Sequence, residues 1–391
     1  MNEKMKVLHL ASFNGNIGDN ANHNGFYHLF KKHITENVEF DQLEMRKFYF
    51  SWDDRKFDES FVKEVNQYDL LVIGGGNFFD ITWPDSATGT TIDISYEVLQ
   101  KINTPILFNA LGLGYGVGRS YNKNAVIKFK DFLDYILAPE RQDQYFLALR
   151  NDGAYNNLQN LYGNKYSDKV IEVPDNGFFH KIKKYNHSEL IGGYKSIGVN
   201  LVFDSSNKRF SSGLSYDDFI FEFSEVINSF LKNKKDYQII FFPHIYSDLK
   251  TINKVIENID KKIVRKRIKV APYLHGQDSE KYIFNLYNKC ELILGMRFHS
   301  NVGAIANNIP SIGMATNNYR VSKLYDKLSI KNRCLQVDQY GFSNDLKELI
   351  EKSLSSNIEI VSQYKKINNR INNKAIDYFE SLNNWIPKRK E

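Results

Sequence analysis

The sequence predicts an α/β protein of two doubly wound, Rossmann-like domains facing a central cleft. Three observations predict it. The 391 residues exceed one ordinary domain of ~150 residues. Short apolar runs alternate with amphipathic stretches almost throughout, the punctuation of βαβ units with a mostly parallel sheet and helices on both faces. The rhythm breaks once, at residues 181–195, a polar stretch without period that holds Gly192-Gly193, and then restarts. With 42% apolar and 25% charged residues, the composition is that of a globular chain and excludes disorder or a coiled coil.

In the first half, strands are expected at 6–11, 70–73, 106–110, 135–138 and 170–174. Each is a short apolar run ending in Gly, Asn, Pro or Asp. Helices are expected at 26–34, 92–102 and 153–162, where the pattern is amphipathic. After the break, strands are expected at 196–201, 238–243, 268–271, 292–295, 311–315 and 334–337. Helices are expected at 216–232, 249–259, 279–289, 300–307, 319–327 and 345–355. A lone helix at 360–379 has no strand after it and is expected to pack back on the first domain. The domains are thus 1–185 and 190–358, with 359–391 as the returning helix. Ligands of such sheets bind at the carboxyl ends of strands.

The net charge of +6 suits anionic small ligands or polymers, but without a concentrated basic stripe it gives no nucleic-acid partner. Cys290 and Cys334 form no Cys-x-x-Cys, so neither a zinc site nor a disulfide framework is expected, and a reducing, cytoplasmic setting is. The apolar run at the amino terminus is broken by His9 and lacks signal-peptide features. No run approaches the ~18 residues of a membrane span. The tail Lys388-Arg389-Lys390 offers at most weak peripheral contact with an anionic membrane, about 1 kcal/mol per charge. Histidines and acids show no ligand spacing, so no metal is expected.

Six motifs follow expected strands. Ser12-Phe13-Asn14-Gly15-Asn16-Ile17-Gly18-Asp19-Asn20 is either an anion-attracting turn or a plain βα turn capped by Asp19. It lacks the spacing of a dinucleotide fingerprint and the Lys-Ser/Thr of a P-loop. Gly74-Gly75-Gly76-Asn77-Phe78-Phe79-Asp80 carries more glycine than a structural turn needs, and allows close approach of a ligand or of another backbone. The loop of Gly112, Gly114, Gly116 and Gly118 is a backbone-exposing ligand loop or a mobile surface loop. Arg150-Asn151-Asp152 takes an anion bidentately or pairs with a nearby acid, and Asp175 caps a turn or holds a hydroxyl. Phe241-Phe242-Pro243-His244, with Asp248 four residues on, places His244 where a buried strand opens, in a structural or a functional role. In Gly295-Met296-Arg297-Phe298-His299-Ser300, Arg297 and His299 alternate and would point the same way in an extended turn. A fixed cation beside an imidazole at a helix start suits chemistry on an anionic substrate. Tyr319 and Lys323 lie one turn apart on a later helix.

In order and spacing, these motifs resemble the polysaccharide pyruvyl transferase family. They run from Asn16-Ile17-Gly18-Asp19 through Gly74-Gly75-Gly76, Asp80, the 112–118 loop, Arg150-Asn151 and Val173-Pro174-Asp175. Gly295–Ser300, Ile309-Pro310 and Tyr319 with Lys323 follow. The resemblance implies a GT-B-like architecture and transfer of a pyruvyl group from phosphoenolpyruvate onto two sugar hydroxyls as a ketal. No cofactor beyond that donor substrate is implied. Arg297 and His299 are implied as catalytic and donor-binding residues. Arg150, which here precedes Asn151 where that family has Asp, is a further donor contact, joined by His244 and Lys323, and residues 190–358 form the donor side. The saccharide acceptor, lipid-linked or nucleotide-linked, is expected on residues 1–185 near Asn16, Asp19, Asn77 and Asp80, with Phe13, Phe78 and Tyr115 stacking on its rings. Gly18, Gly74, Gly75, Gly76, Gly112 and Gly114 supply phosphate or backbone loops. Two alternatives use the same fold: a nucleotide-sugar glycosyltransferase, with Arg297 and Lys323 on a diphosphate, and a glycan-binding protein without turnover.

Overall fold

The computed structural model describes residues 4–49, 54–211, 213–276, 278–317 and 319–386. The first half supplies β1 (Met5–Ala11), β2 (Val38–Glu44), β3 (Leu70–Gly74), β4 (Phe79–Asp80), β5 (Ile106–Leu111), β6 (Leu113–Gly114), β7 (Tyr145–Arg150) and β8 (Ile171–Val173). Six of them form one sheet in the order β2-β1-β3-β5-β7-β8, while β4 and β6 pair separately. The second half supplies β9 (Lys195–Asn200), β10 (Tyr237–Phe241), β11 (Ile268–Val270), β12 (Cys290–Gly295), β13 (Ser311–Ala315) and β14 (Cys334–Gln336), ordered β11-β10-β9-β12-β13-β14. Every pair in both sheets is parallel.

Interior strands are covered on both faces, so they read as unbroken apolar runs, as in the fully buried Leu-Leu-Val-Ile-Gly of β3. The edge strand β2 pairs only with β1. Its Glu39 and Asp41 dilute the apolar signal, and sequence reading passes over it. Residues 135–138, expected as a strand, are not one. Tyr135 and Ile136 close the helix Lys123–Ile136, whose Phe129, Phe132, Leu133 and Ile136 recur at helical spacing and are buried. The strand at this place in the sheet is β7. The first helix also begins earlier than expected, at Ile17.

The chain folds as two compact units. The first gathers residues up to 13, 25–176 and from 371 onward; the second gathers 14–24 and 177–370. Two helices, Ile17–His33 and Asn357–Trp385, are thereby shared between the units. From residue 371 the final helix packs in the first unit. There Tyr378 Oη–H donates to Asn109 Oδ1 at 2.8 Å and Trp385 Nε1–H donates to the Gln142 carbonyl at 2.7 Å. Its earlier turns belong to the second unit, with Asn368 Nδ2 donating to the Ile305 carbonyl at 2.8 Å. Residues 388–390 lie outside the described residues. No helix among the described residues is long and apolar enough to cross a membrane.

The second unit buries one acid at a cost. Glu280, on the helix Ser279–Tyr287, is buried and its Oε2 accepts no hydrogen bond. Burial pushes its carboxyl up to about 7. The folded state therefore holds this proton more tightly than the unfolded chain. Stability is full below the unfolded value of ~4.5 and falls, by about 2–3 kcal/mol, as pH rises to ~7. Glu280→Gln removes the titration. Thermal unfolding is expected to show a higher midpoint than the parent at pH 8 and little difference at pH 4.5. Equal midpoints at pH 8 would mean that Glu280 is solvated.

Candidate active site

In the second sheet the strand order reverses between β9 and β12, and such a switch point opens a crevice at the strand ends. The chain leaving β12 places Arg297 there as the extended residue before the helix Phe298–Ala306 (φ −85°, ψ 145°). Its backbone N–H donates to Asn200 Oδ1 at 2.9 Å, and Asn200 Nδ2 donates to the Phe242 carbonyl at 2.8 Å. One asparagine thus ties β9, β10 and β12 together at their carboxyl ends.

The Arg297 guanidinium is framed by two acids. Nε donates to Asp248 Oδ2 at 2.8 Å, and Nη2 donates to Asp248 Oδ1 and Asp204 Oδ1, both at 2.5 Å. Asp248 is fully buried and also accepts the N–H groups of His244 and Ile245 on Oδ2. Burial alone would lower the Arg297 pKa. Asp248 and then Asp204 outweigh it and raise the value, so the residue is a permanent cation. Burial likewise pushes Asp204 up, but Arg297 and Arg209 hold it well below the usual carboxylate range. Arg209 reaches Asp204 through Nη2 at 2.9 Å and its carbonyl through Nε at 2.8 Å. Arg209 itself is lowered by burial despite Asp204, with Arg297 and Arg320 adding charge repulsion. Two guanidinium groups, those of Arg297 and Arg209, therefore engage two carboxylates, and the charge of Arg320 bears on Arg209. Arg297 Nη1 makes no hydrogen bond among the described residues. A guanidinium fixed in this way suits an anion.

His299 is the second residue of its helix, so only Arg297, and not both, lies in the extended turn. His299 Nδ1 is 3.7 Å from Asp19 Oδ1. Asp19 belongs to the 14–24 segment of the second unit, although the sequence suggests the first domain. Gly18 explains the motif around it. A Cβ there would fall 2.5 Å from the His299 Cβ and 2.6 Å from its Nδ1, so the helix backbone lies directly against the imidazole. Asn16 Oδ1 accepts the Gly18 N–H at 2.9 Å and fixes this turn. His244 lies beneath. It is fully buried, its Nε2 is 2.8 Å from the Tyr287 hydroxyl, and that hydroxyl is 3.0 Å from Ser300 Oγ. Burial first, then Arg297 and His299, push its pKa well down, leaving a neutral imidazole whose Nδ1 has no hydrogen-bond partner. Its carbonyl accepts the Ile17 N–H at 3.3 Å.

Lys323 is exposed on the helix Tyr319–Lys327. Arg209, which pairs with Asp204, and Arg320, on the same helix as Lys323 and acting by its charge on Arg209, are cations that sequence reading does not single out. Arg209 ends the short helix Ser206–Arg209, and the stretch from Asp204 through it carries no motif.

The first unit gathers a second polar cluster. Gly74 and Gly75 take φ of +154° and +78°, and a Cβ on Gly74 would fall 2.0 Å from the Asn109 carbonyl oxygen. These glycines let β3 and β5 pair closely. A Cβ on Gly112 would meet Asn77 Oδ1 at 2.6 Å, and Arg150 Nη2 and Asp152 Oδ2 at 3.1 Å. Arg150 is buried and engaged by Asp152, through Nε at 3.0 Å and Nη2 at 2.7 Å, and by Asp175 through Nη1 at 3.2 Å. Asn151 Oδ1 accepts the Asp175 N–H at 3.0 Å. Asn77 Oδ1 and Asn109 Nδ2 are buried without partners among the described residues. Asp80 Oδ1 accepts from the Thr82 hydroxyl at 2.9 Å, and Asp80 pairs with Gly114 in the β4–β6 ladder. Phe13 and Phe78, expected to stack on sugars, instead pack in this unit's core; Tyr115 stays exposed. Among the described residues, no group of three or more His, Cys, Asp or Glu is arranged to hold a metal ion.

A family model described as polysaccharide pyruvyl transferase matches residues 16–318. No curated protein gives a significant sequence match. Among solved structures, UDP-GlcNAc 2-epimerase from Neisseria meningitidis bound to UDP-GlcNAc is 14% identical, with 97% of this chain and 99% of that chain covered and a TM-score of 0.51. A putative UDP-N-acetylglucosamine 2-epimerase from Listeria monocytogenes is 13% identical over 99% of both chains, TM-score 0.52. TcCGT1 in complex with UDP is 10% identical over 98% of this chain and 100% of that chain, TM-score 0.52. These likenesses are of fold. The architecture is α/β, with two Rossmann-like domains of the GT-B kind, as the sequence predicts.

Proposed function

Because the chain belongs to the polysaccharide pyruvyl transferase family, and is thus a transferase, we propose that it moves a pyruvyl group from phosphoenolpyruvate onto two hydroxyls of a surface polysaccharide or its precursor, as a ketal. One observation carries the reading: a permanent cation, Arg297, stands beside two imidazoles at a switch point. Phosphoenolpyruvate carries two anionic groups and needs a proton delivered to carbon.

In the proposed reaction the first sugar hydroxyl adds to C2 of the donor while the methylene carbon takes a proton and becomes a methyl group. His299 supplies that proton, the proton of the adding hydroxyl passes back to its imidazole, and Asp19 orients the ring. The second hydroxyl then attacks C2, the C2–O bond to phosphate breaks, and phosphate leaves with the electron pair. The hydroxyl proton passes to a base or to the phosphate. Arg297 offsets the charge of the departing phosphate. His244, kept neutral, contributes a hydrogen bond rather than charge. Asn77 and Asp80 belong to the first unit. There Arg150 serves to hold the ends of β7 and β8.

The test is a screen of lipid-linked and nucleotide-linked saccharides with phosphoenolpyruvate, following phosphate release and, in deuterated water, deuterium in a new methyl group. Acceptor-dependent release with a labelled methyl is expected. Turnover of a nucleotide sugar with none of phosphoenolpyruvate would overturn the reading in favour of a glycosyltransferase.

Gly18→Ala tests the placement of His299. The added methyl must displace the imidazole, and a shift of about 1 Å costs roughly tenfold to hundredfold in rate. Turnover is expected to fall by that amount with phosphoenolpyruvate affinity little changed. A kcat equal to the parent's would mean that the position of His299 is immaterial.

A further inference from the structure

We propose that Tyr246, Tyr273 and His275 form a saccharide-stacking subsite that holds the sugar next to the one being modified. The proposal rests on the reading above that the acceptor is a saccharide. Tyr246 follows β10 and Tyr273 follows β11, neighbouring parallel strands, so both rings stand at carboxyl strand ends. Tyr246 and Tyr273 have ring centroids 5.7 Å apart, and Tyr273 and His275 5.6 Å. Tyr246 is 68% exposed, and His275 is exposed too. Such an aromatic string on the surface does not build a core.

Its attachment points to the reaction site. The Tyr273 hydroxyl donates to the Gly15 carbonyl at 3.4 Å. Gly15 opens the turn that carries Asn16, Gly18 and Asp19, and Asp19 faces His299. Two residues before Tyr246 lies His244, whose carbonyl holds the Ile17 N–H. The rings and the imidazoles are thus braced by one short segment. Among the described residues nothing lies within 4 Å of a Cβ built on Gly15, which leaves room for a ligand beside the string.

The ring angles favour sugars over a nucleobase. Tyr246 and Tyr273 stand at 66° and Tyr273 and His275 at 39°. A base stacks on a flat face. Rings turned through these angles instead offer successive small faces, each suited to the C–H face of one pyranose, with the hydroxyl of the exposed Tyr246 at the wet edge to meet sugar hydroxyls. None of the three residues is a lysine or arginine to meet a diphosphate.

Ligand-observed NMR without phosphoenolpyruvate tests this. The probes are mono-, di- and trisaccharides of galactose, glucose, N-acetylglucosamine and N-acetylmannosamine, with UDP alongside, on the parent, Tyr246→Ala and Tyr246→Phe. At least one disaccharide is expected to bind the parent about tenfold more tightly than its monosaccharide, as one stacking contact allows. Tyr246→Ala should erase that difference and Tyr246→Phe should keep it, with circular dichroism confirming the fold of each. Equal affinity for mono- and disaccharides, no effect of Tyr246→Ala, loss of UDP binding in that variant, or no saccharide bound up to about 10 mM would each overturn the subsite. Phosphoenolpyruvate binding is measured separately. Its absence beside intact length-dependent sugar binding would defeat the donor assignment and leave the subsite standing.

Discussion

Arg297→Ala is expected to weaken phosphoenolpyruvate binding and to lower turnover by about thirty- to a thousandfold, the ~2–4 kcal/mol of a charge-assisted bond to a buried anion. The same change strips Asp248, which is fully buried, and Asp204 of a shared partner. Leaving a buried carboxylate without its cation costs about 3–5 kcal/mol, so the melting temperature should fall as well. Arg297→Lys separates the two effects. It keeps one positive charge but cannot satisfy both acids with a planar fork, and should recover part of donor binding while remaining less stable than the parent. Calorimetric titration with phosphoenolpyruvate and steady-state kinetics on folded protein provide the readouts. Undiminished donor affinity in folded Arg297→Ala would place the anion elsewhere.

His299→Gln should lower turnover by about a hundredfold or more while donor affinity changes less, because glutamine keeps a hydrogen bond but cannot shuttle a proton. His299→Ala should be nearly as inactive. His244 provides an internal comparison. It is buried and held neutral, so it contributes no ionisation to the pH–rate profile near neutrality. A limb of that profile present in the parent and lost in His299→Gln would mark His299 as the titrating group. Near-normal turnover in His299→Gln would reduce this imidazole to a binding role and make His244 the next candidate for the proton.

Much of the fold is legible because interior parallel strands are apolar on both faces, as in β3 and β12. The signal fails where burial is one-sided. The edge strand β2 interleaves acids with its apolar residues, and the run 135–138 has the composition of a strand but continues the helical spacing of Phe129 and Phe132. In the site, Arg297, His299, His244 and Gly18 can be read from position after a strand. Their partners cannot. Gly18 and His299 meet across more than half the chain, Asp204 and Arg209 flank and end a four-residue helix without motif, and Arg320 is one of many helix-borne cations. Phe13 and Phe78 show the reverse error: an aromatic beside a motif can be core, and exposure rather than residue type decides. The exposed Tyr246 carries no sequence mark that separates it from the other 23 tyrosines.

The assignment of residues 14–24 to the second unit bears on how such a protein can be cut and recombined. A fragment starting at residue 177 would contain Arg297, His244 and His299, yet lack the Gly18 backbone against which His299 lies and the Asp19 that faces it. The unit that holds the imidazoles is thus completed by the start of the chain. A chimera joined at residues 176 and 177, pairing this second half with another amino-terminal half, inherits a foreign surface around His299 even when both halves fold. Exchange of specificity between relatives by a single crossover at that junction would alter the setting of the imidazole along with anything else it transfers. A crossover meant to preserve that setting must carry residues 14–24 with it.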